Sequence, residues 1–419
     1  MMIGGGRWPI TKLKRVTYRV AGGTPESDNE AYWCDPTDES ATAWVAIGDM
    51  SQRQVVTSTT RAVTSAGLTS KRLTVGRPGT VLLAMYASVG EVATLGVPAA
   101  WNQAILGLNC LRGAFDSRYL GYLLRSMKPD LVGMTRSNTQ DNLNAEQIGN
   151  LEVPCPPIGA QSAIADFLDR ETAKIDALIE KQERLLERLR ERRFELVRHA
   201  MGGLDVTEPR SMRTAAWLGP VPSVWRTRPL WSIFKREKRT GYIDEQMVSV
   251  FREYGVVYKE DFDNLNITAE DRSIYQLIEP GWLVINRMKA WQGSVGVSNI
   301  RGIVSGHYIC FRPNHNENSK FLNLLFRSPQ YRDGFAMNSR GVRPGQAEID
   351  NDLLRKMPVL LPPADEQARI VAHVDARTAD IEQLTFQAAR LIGLAAERRT
   401  ALIIAAVTGQ FDVSTGKAV

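Results

Sequence analysis

The sequence predicts a mixed α/β chain with an internal pseudo-two-fold repeat: two strand-rich globules, and two long helices that pair as an antiparallel coiled coil. Three observations lead there. The first is a repeated passage. "VPCPPIGAQSAIADFLDRETAKIDAL", beginning at Val153, is echoed by "VLLPPADEQARIVAHVDARTADIEQL", beginning at Val359. Gln161 recurs as Gln367, Ile164 as Ile370, Asp169 as Asp375, Thr172 as Thr378 and Ile175 as Ile381, always 206 positions later. A constant offset without gaps marks a duplicated unit.

The second observation is a pair of heptad stripes. From Gln161 to about Ala200 there is no Gly or Pro, and Gly202 and Gly203 then supply a helix stop. Ile164, Leu168, Ile175, Leu178, Leu185, Leu189 and Leu196 recur at steps of four and three, with Glu171, Gln182 and Arg192 filling the seam. The second copy places Ile370, Val374, Ile381, Leu384, Leu391, Ala395 and Leu402 at the same steps and stops at Gly409. Large residues on one helix facing small ones on the other fit a pairing of the two. A heptad stripe also serves homodimerisation. Two stripes in one chain, separated by a globular span, favour pairing within the chain.

The third observation is texture. Residues 1–152 and 204–358 are rich in β-branched and aromatic residues, Gly and Pro, with short apolar runs such as "GTVLLAMYASVGEVATLG" and "GWLVINRMKAWQGSVGV". Each carries one short helix, near "YLGYLLRSM" and "FLNLLFRSP". Residues 153–203 and 359–411 are the helical passages. Weak landmarks align the globules: Trp8 and Leu13 with Trp225 and Leu230, Pro78 and Gly79 with Pro280 and Gly281, Arg125 with Arg327. The offset drifts between them, so the scaffold is shared while loops have changed length.

A chain of 419 residues is long for one domain, and 43% hydrophobic residues suffice for real cores. It contains no apolar run long enough to cross a bilayer, and "MMIGGGRWPI" lacks the order of a signal peptide, so a cytoplasmic protein is expected. Cys34, Cys110, Cys155 and Cys310 form no CxxC pair, which suits a reducing compartment. His307, Cys310 and His315 match no metal-ligand spacing and read as ordinary strand and loop residues. The formal charge of +6 and the pI near 9.1 are compatible with a polyanionic partner.

Globule, helix, globule, helix, with similar helices and divergent globules, resembles the specificity subunit of type I restriction-modification systems. The resemblance covers essentially the whole chain. Its most specific marks are the paired Pro-Pro passages, supported by "WNQAI" at 101–105 and "WQGSVGVSNIRGIVSGHYICF" at 291–311. The first passage departs from the family pattern only in having Ala160 where the second has Glu366. The resemblance implies that each globule is a target-recognition domain reading one half of an asymmetric, bipartite site in double-stranded DNA. It implies that the helices form the spacer between half-sites. It further implies two methyltransferase subunits as partners, together with restriction subunits. No cofactor is expected in this chain; S-adenosylmethionine, ATP and magnesium would belong to the partners. In keeping with this, the chain has no GxxxxGK[ST] loop, and its Pro-Pro pairs sit in "CPPI" and "LPPA" rather than in an amino-methyltransferase motif.

Base readout uses Arg or Lys for guanine and Asn or Gln for adenine. Two aligned loops before the Pro-Pro pairs offer such groups: Arg136, Ser137, Asn138, Gln140 and Asn142 in the first half, Asn338, Ser339, Arg340, Arg343 and Gln346 in the second. Arg287, Lys289 and Gln292 add a basic cluster beside Trp291. Lys71, Arg72, Tyr86, Asn102 and Gln103 are weaker candidates. The bland alternative is a solvated polar loop in each case, and for the charge run "EKQERLLERLRERR" a solvated helix face, with some charges left for DNA or a partner subunit. Two further function classes remain open: a non-catalytic scaffold holding two protein-binding modules, and a self-contained enzyme whose motif is unrecognised.

Overall fold

Short runs of β-branched and apolar residues bounded by Gly and Pro form the strands, and the Gly-poor passages form the helices. The structure is a computed structural model and describes residues 7–418 apart from 52–53, 136–141, 205–208, 213–214, 262–271 and 342–346. Its contacts divide the chain into two units. One comprises Met1–Gln182 with Arg390–Val419, the other Glu183–Ala389.

The first unit is centred on a sheet ordered Thr17–Ala21, Ile105–Cys110, Val81–Ala84, Val92–Leu95, antiparallel throughout, which Val55–Val56 extends in parallel. The second unit repeats the four antiparallel strands in the same order: Phe234–Arg236, Tyr308–Pro313, Leu283–Asn286, Val295–Val297. Both sheets are covered by the short helix foreseen from the sequence, Ser117–Ser126 or Ser319–Phe326. Each is capped by a side chain accepting from two backbone N–H groups, Asp116 in one and Asn318 in the other. The weak landmarks fall at equivalent places. Leu13 N–H donates to Leu151 O and Leu230 N–H to Met357 O, both at 2.9 Å. Lys12 pairs with Glu152 as Pro229 pairs with Pro358.

The decoration differs. The first unit adds a second sheet, Trp33–Cys34, Arg61–Val63, Thr42–Val45, Ala99–Trp101. The second unit instead adds two-stranded ladders, Val248–Phe251 with Gly255–Tyr258 and Gln276–Ile278 with Gly302–Val304.

The repeated glutamine has a physical explanation. Buried Gln161 accepts from Asp116 N–H at 2.8 Å and donates to Pro156 O at 2.8 Å and Ala114 O at 3.2 Å. Buried Gln367 accepts from Asn318 N–H at 3.0 Å and donates to Pro362 O at 3.0 Å and Glu317 Oε2 at 2.6 Å. Each pins the start of a long helix to the Pro-Pro strand and to the cap of the covering helix.

The long helices run Ile158–Ala200 and Ala364–Thr408. In the first unit Ile164 and Leu168 share a core with Ile403, Ala406 and Val407. In the second, Ala200 shares a core with Ile370, Val371 and Val374. The start of one helix therefore meets the end of the other in each unit, which is an antiparallel arrangement. Asp176 pairs with Arg399 at 2.8 Å in one unit, and Arg193 with Glu382 at 3.8 Å in the other. Arg193 and Arg399, like Asp176 and Glu382, are 206 positions apart, so the two ion pairs are copies of each other.

One rail of the expected heptad is corrected. Ile164, Leu168, Leu189, Ile370, Val374, Ile381 and Ala395 are buried, and Ile175, Leu196 and Leu402 are partly so. Leu178 and Leu185, however, are each 38% exposed, Leu384 47% and Leu391 39%. The seam instead runs through Thr172, Ile179 and Leu186 on the first helix and Thr378 and Ile392 on the second, one residue further along. Adjacent apolar residues, such as Leu178 with Ile179 and Leu185 with Leu186, leave both phases open in the sequence. The globule decides between them: Tyr122 Oη lies 2.8 Å from Asp169 and 3.3 Å from Thr172, so buried Thr172 faces inward and the helix is rotated accordingly.

Candidate nucleic-acid interface

In each unit, the turn after the third sheet strand is tied to the loop that precedes the Pro-Pro strand. Leu143 N–H donates to Met85 O in the first unit and Ile349 N–H to Arg287 O in the second, both at 3.1 Å. The acceptors are 202 positions apart and the donors 206, matching the offsets of the surrounding scaffold. Described residues that follow the candidate loops, Leu143 and Ile349, are thus tied to equivalent turns in the two units.

The first unit has a surface cleft of about 540 Å³ there, lined by Ala87, Ser88, Val89, Lys128, Thr135 and half-buried Asn142 among others. Ala87 has φ +58°, a strained value for a residue with a β-carbon. Lys128 is neutralised by Glu91 at 2.5 Å. Arg136, Ser137, Asn138 and Gln140 lie outside the described residues.

In the second unit, half-buried Arg287 pairs with Glu348 at 3.2 Å, and exposed Arg340 pairs with Asp350 at 3.0 Å. Lys289 and Gln292 are exposed, and Lys289 has no ion pair with a described residue. The Trp291 indole N–H is taken up by Met288 O at 3.1 Å. Asn338 contributes its carbonyl to Asp350 N–H at 2.8 Å, and Ser339 Oγ donates to Phe335 O at 2.8 Å. Arg343 and Gln346 lie outside the described residues. The structure thus brings Arg287, Lys289, Gln292, Asn338, Ser339 and Arg340 onto neighbouring segments, with two of their charges already balanced.

The weaker candidates divide. Asn102 closes its own turn by accepting from Ala104 N–H at 2.6 Å, and Gln103 accepts from the Thr24 hydroxyl. Lys71 and Arg72 are exposed, with Arg72 at φ +50°. Tyr86 is half-buried. His315 packs edge-on against Phe234, and Cys310 is buried in its strand. Among the described residues no group of three or more His, Cys, Asp or Glu could hold a metal. No described helix is long and apolar enough to cross a membrane.

Several arginines escaped sequence reasoning because only their tertiary surroundings single them out. Arg61 lies 3.5 Å over the ring of Trp33 and 5.7 Å from that of Trp44, held by aromatic faces while its N–H donors remain exposed. Arg125 and Arg327 are half-buried and donate to backbone carbonyls. Arg125 serves Val92 at 3.3 Å and Gln54 at 3.0 Å. Arg327 serves Arg252 at 3.2 Å and Glu253 at 2.6 Å. Burial, and then the nearby charge of Arg193, lower the Arg327 pKa to about 10. Their matching positions in the two halves were visible, but the loops they grip were not.

Comparisons with known proteins bear on the family and the fold. A family model described as the type I restriction modification DNA specificity domain matches residues 20–188 and again 222–388. The type I restriction enzyme MjaIX specificity subunit of Methanocaldococcus jannaschii is 26% identical over 189 residues, 43% of this chain and 41% of that protein's length. Two solved structures share the fold across the chain. One comes from a study of complex assembly and conformational transition of the type I R-M system, with TM-score 0.63, 18% identity, and coverage of 97% of this chain and 99% of that one. The other is the HsdS subunit from Thermoanaerobacter tengcongensis, with TM-score 0.51, 17% identity, and coverage of 96% and 97%. With the family model matched twice, over most of its length, the chain belongs to the type I restriction-modification DNA specificity family.

Proposed function

We propose that this chain is the non-catalytic, DNA-reading subunit of a type I restriction-modification complex. Residues 1–152 and 204–358 act as two target-recognition domains, each reading one half of an asymmetric, bipartite duplex sequence. The helical passages 153–203 and 359–411 set the spacing between the half-sites. Chemistry is left to partners: two methyltransferase subunits carrying S-adenosylmethionine direct adenine methylation, and restriction subunits using ATP and magnesium cleave. The work takes place in the cytoplasm, where host DNA is found.

One observation carries this reading. A duplicated scaffold makes equivalent hydrogen bonds from Leu143 to Met85 and from Ile349 to Arg287, each just after a polar passage whose sequence differs between the two halves. Duplication of the scaffold with divergence in its loops and added strands suits two readers of different sequences, because base recognition depends on side-chain placement in the decoration while the scaffold only positions it. The test is to co-express the chain with its methyltransferase partner and map adenine methylation across the host genome by single-molecule sequencing. A split motif with a fixed gap is the expected result. An intact, cofactor-loaded complex that methylates nothing would favour a protein-binding scaffold.

A further inference from the structure

Beyond the candidate loops, the second unit gathers a second kind of basic feature. The turn at Gly293 has φ +94°, a conformation that favours glycine. A β-carbon placed there would lie 3.8 Å from Cγ of Arg252 and 3.8 Å from Cδ of Arg332, so the two arginine stems flank this turn from different segments. Arg252 belongs to the tight turn between Val248–Phe251 and Gly255–Tyr258, and Arg332 to the helix Pro329–Met337.

The backbone of Arg252 and the side chain of Arg332 each have a neighbour that holds them. Half-buried Arg327 donates to the carbonyls of Arg252 and Glu253, fixing the backbone that carries the Arg252 side chain. The guanidinium of Arg332 rests 5.4 Å from the ring centroid of Phe194 on the first long helix. Neither Arg252 nor Arg332 forms an ion pair with a described residue, and neither do the carboxylates that follow them, Glu253 and Asp333. Arg287 and Arg340 in the same unit, by contrast, are each matched with an acid. Two arginine stems that meet at a turn with no side chain, neither with an acidic partner among the described residues, suit a tetrahedral anion bound by both.

We propose that Arg252 and Arg332 clamp one phosphate of the DNA backbone at the Gly293 turn, beside the exposed Lys289 and Gln292. This assignment rests on the DNA-reading function above and adds a positioning contact to it. A phosphate contact fixes register without carrying sequence information, so the clamp orients the turn that holds Lys289 and Gln292.

The test measures binding of a labelled duplex containing the methylated motif by fluorescence anisotropy, over a series of KCl concentrations. It uses the full chain with its methyltransferase partner. The double variant Arg252→Gln/Arg332→Gln should reduce the slope of log K against log salt by about 0.9, the contribution of one phosphate. It should weaken specific and unrelated duplexes by the same factor and leave the methylated motif unchanged. Arg252→Lys/Arg332→Lys should retain most of the slope, and matching thermal melts for both variants establish that they are folded. An unchanged slope, or an altered motif, would overturn the clamp. Absence of salt-dependent duplex binding in the unsubstituted complex would instead overturn the DNA-reading function itself.

Discussion

Gln161 and Gln367 show how a single residue type explains the repeated passage. Each satisfies one backbone N–H and at least one backbone carbonyl from a fully buried position. Removing the amide strands those groups without water, at about 1–3 kcal/mol. Gln161→Ala and Gln367→Ala should each lower stability by that order in urea denaturation, and Gln→Glu should also destabilise, because the donor to the proline carbonyl is lost. A loss below a few tenths of a kcal/mol in both alanine variants would mean that the pins are not structural. The sequence disclosed that these glutamines correspond. It could not disclose their partners at the caps of the covering helices, which lie about 45 to 50 residues upstream. Arg252, Arg332 and Arg61 were illegible for a related reason: an arginine's significance depends on what its stem touches and on whether an acid lies within reach.

At the scale of elements, the long helices were legible in position, and the rotation of each about its own axis was not. The Gly-free run ending at Gly202 and the stop at Gly409 locate helices that end at Ala200 and Thr408. The heptad seam is ambiguous wherever two apolar residues adjoin, and the buried polar contacts of Thr172 select the phase. This gives a pairwise prediction. Leu178→Gln and Leu384→Gln should change stability by less than about 0.5 kcal/mol, as exposed positions usually do. Ile179→Gln should cost clearly more, because it places an amide in the seam. Ala388, buried on the second helix, should resist enlargement, with Ala388→Leu costing about 1–3 kcal/mol through overpacking. Denaturant midpoints for the four variants check the order; equal losses for Leu178→Gln and Ile179→Gln would restore the original phase.

For the whole molecule, the internal repeat makes a prediction that neither unit makes alone. Substituting Lys289 or Gln292, both exposed in the second unit, should relax one half of the methylated motif and leave the other half unchanged, as read from the methylation map. Simultaneous blurring of both halves would contradict two independent readers. The sequence by itself determined the duplication, the order of globules and helices, and the family, because a constant offset and a heptad period are properties of the chain that survive without coordinates. It also located the loops before each Pro-Pro strand. Only the tertiary structure decided that Met85 with Leu143 and Arg287 with Ile349 join equivalent segments in each unit, which helix face is buried, and which arginines lack an acid among the described residues. Those facts depend on contacts between residues far apart in the chain, where the spacing of residue types carries no information about distance in space.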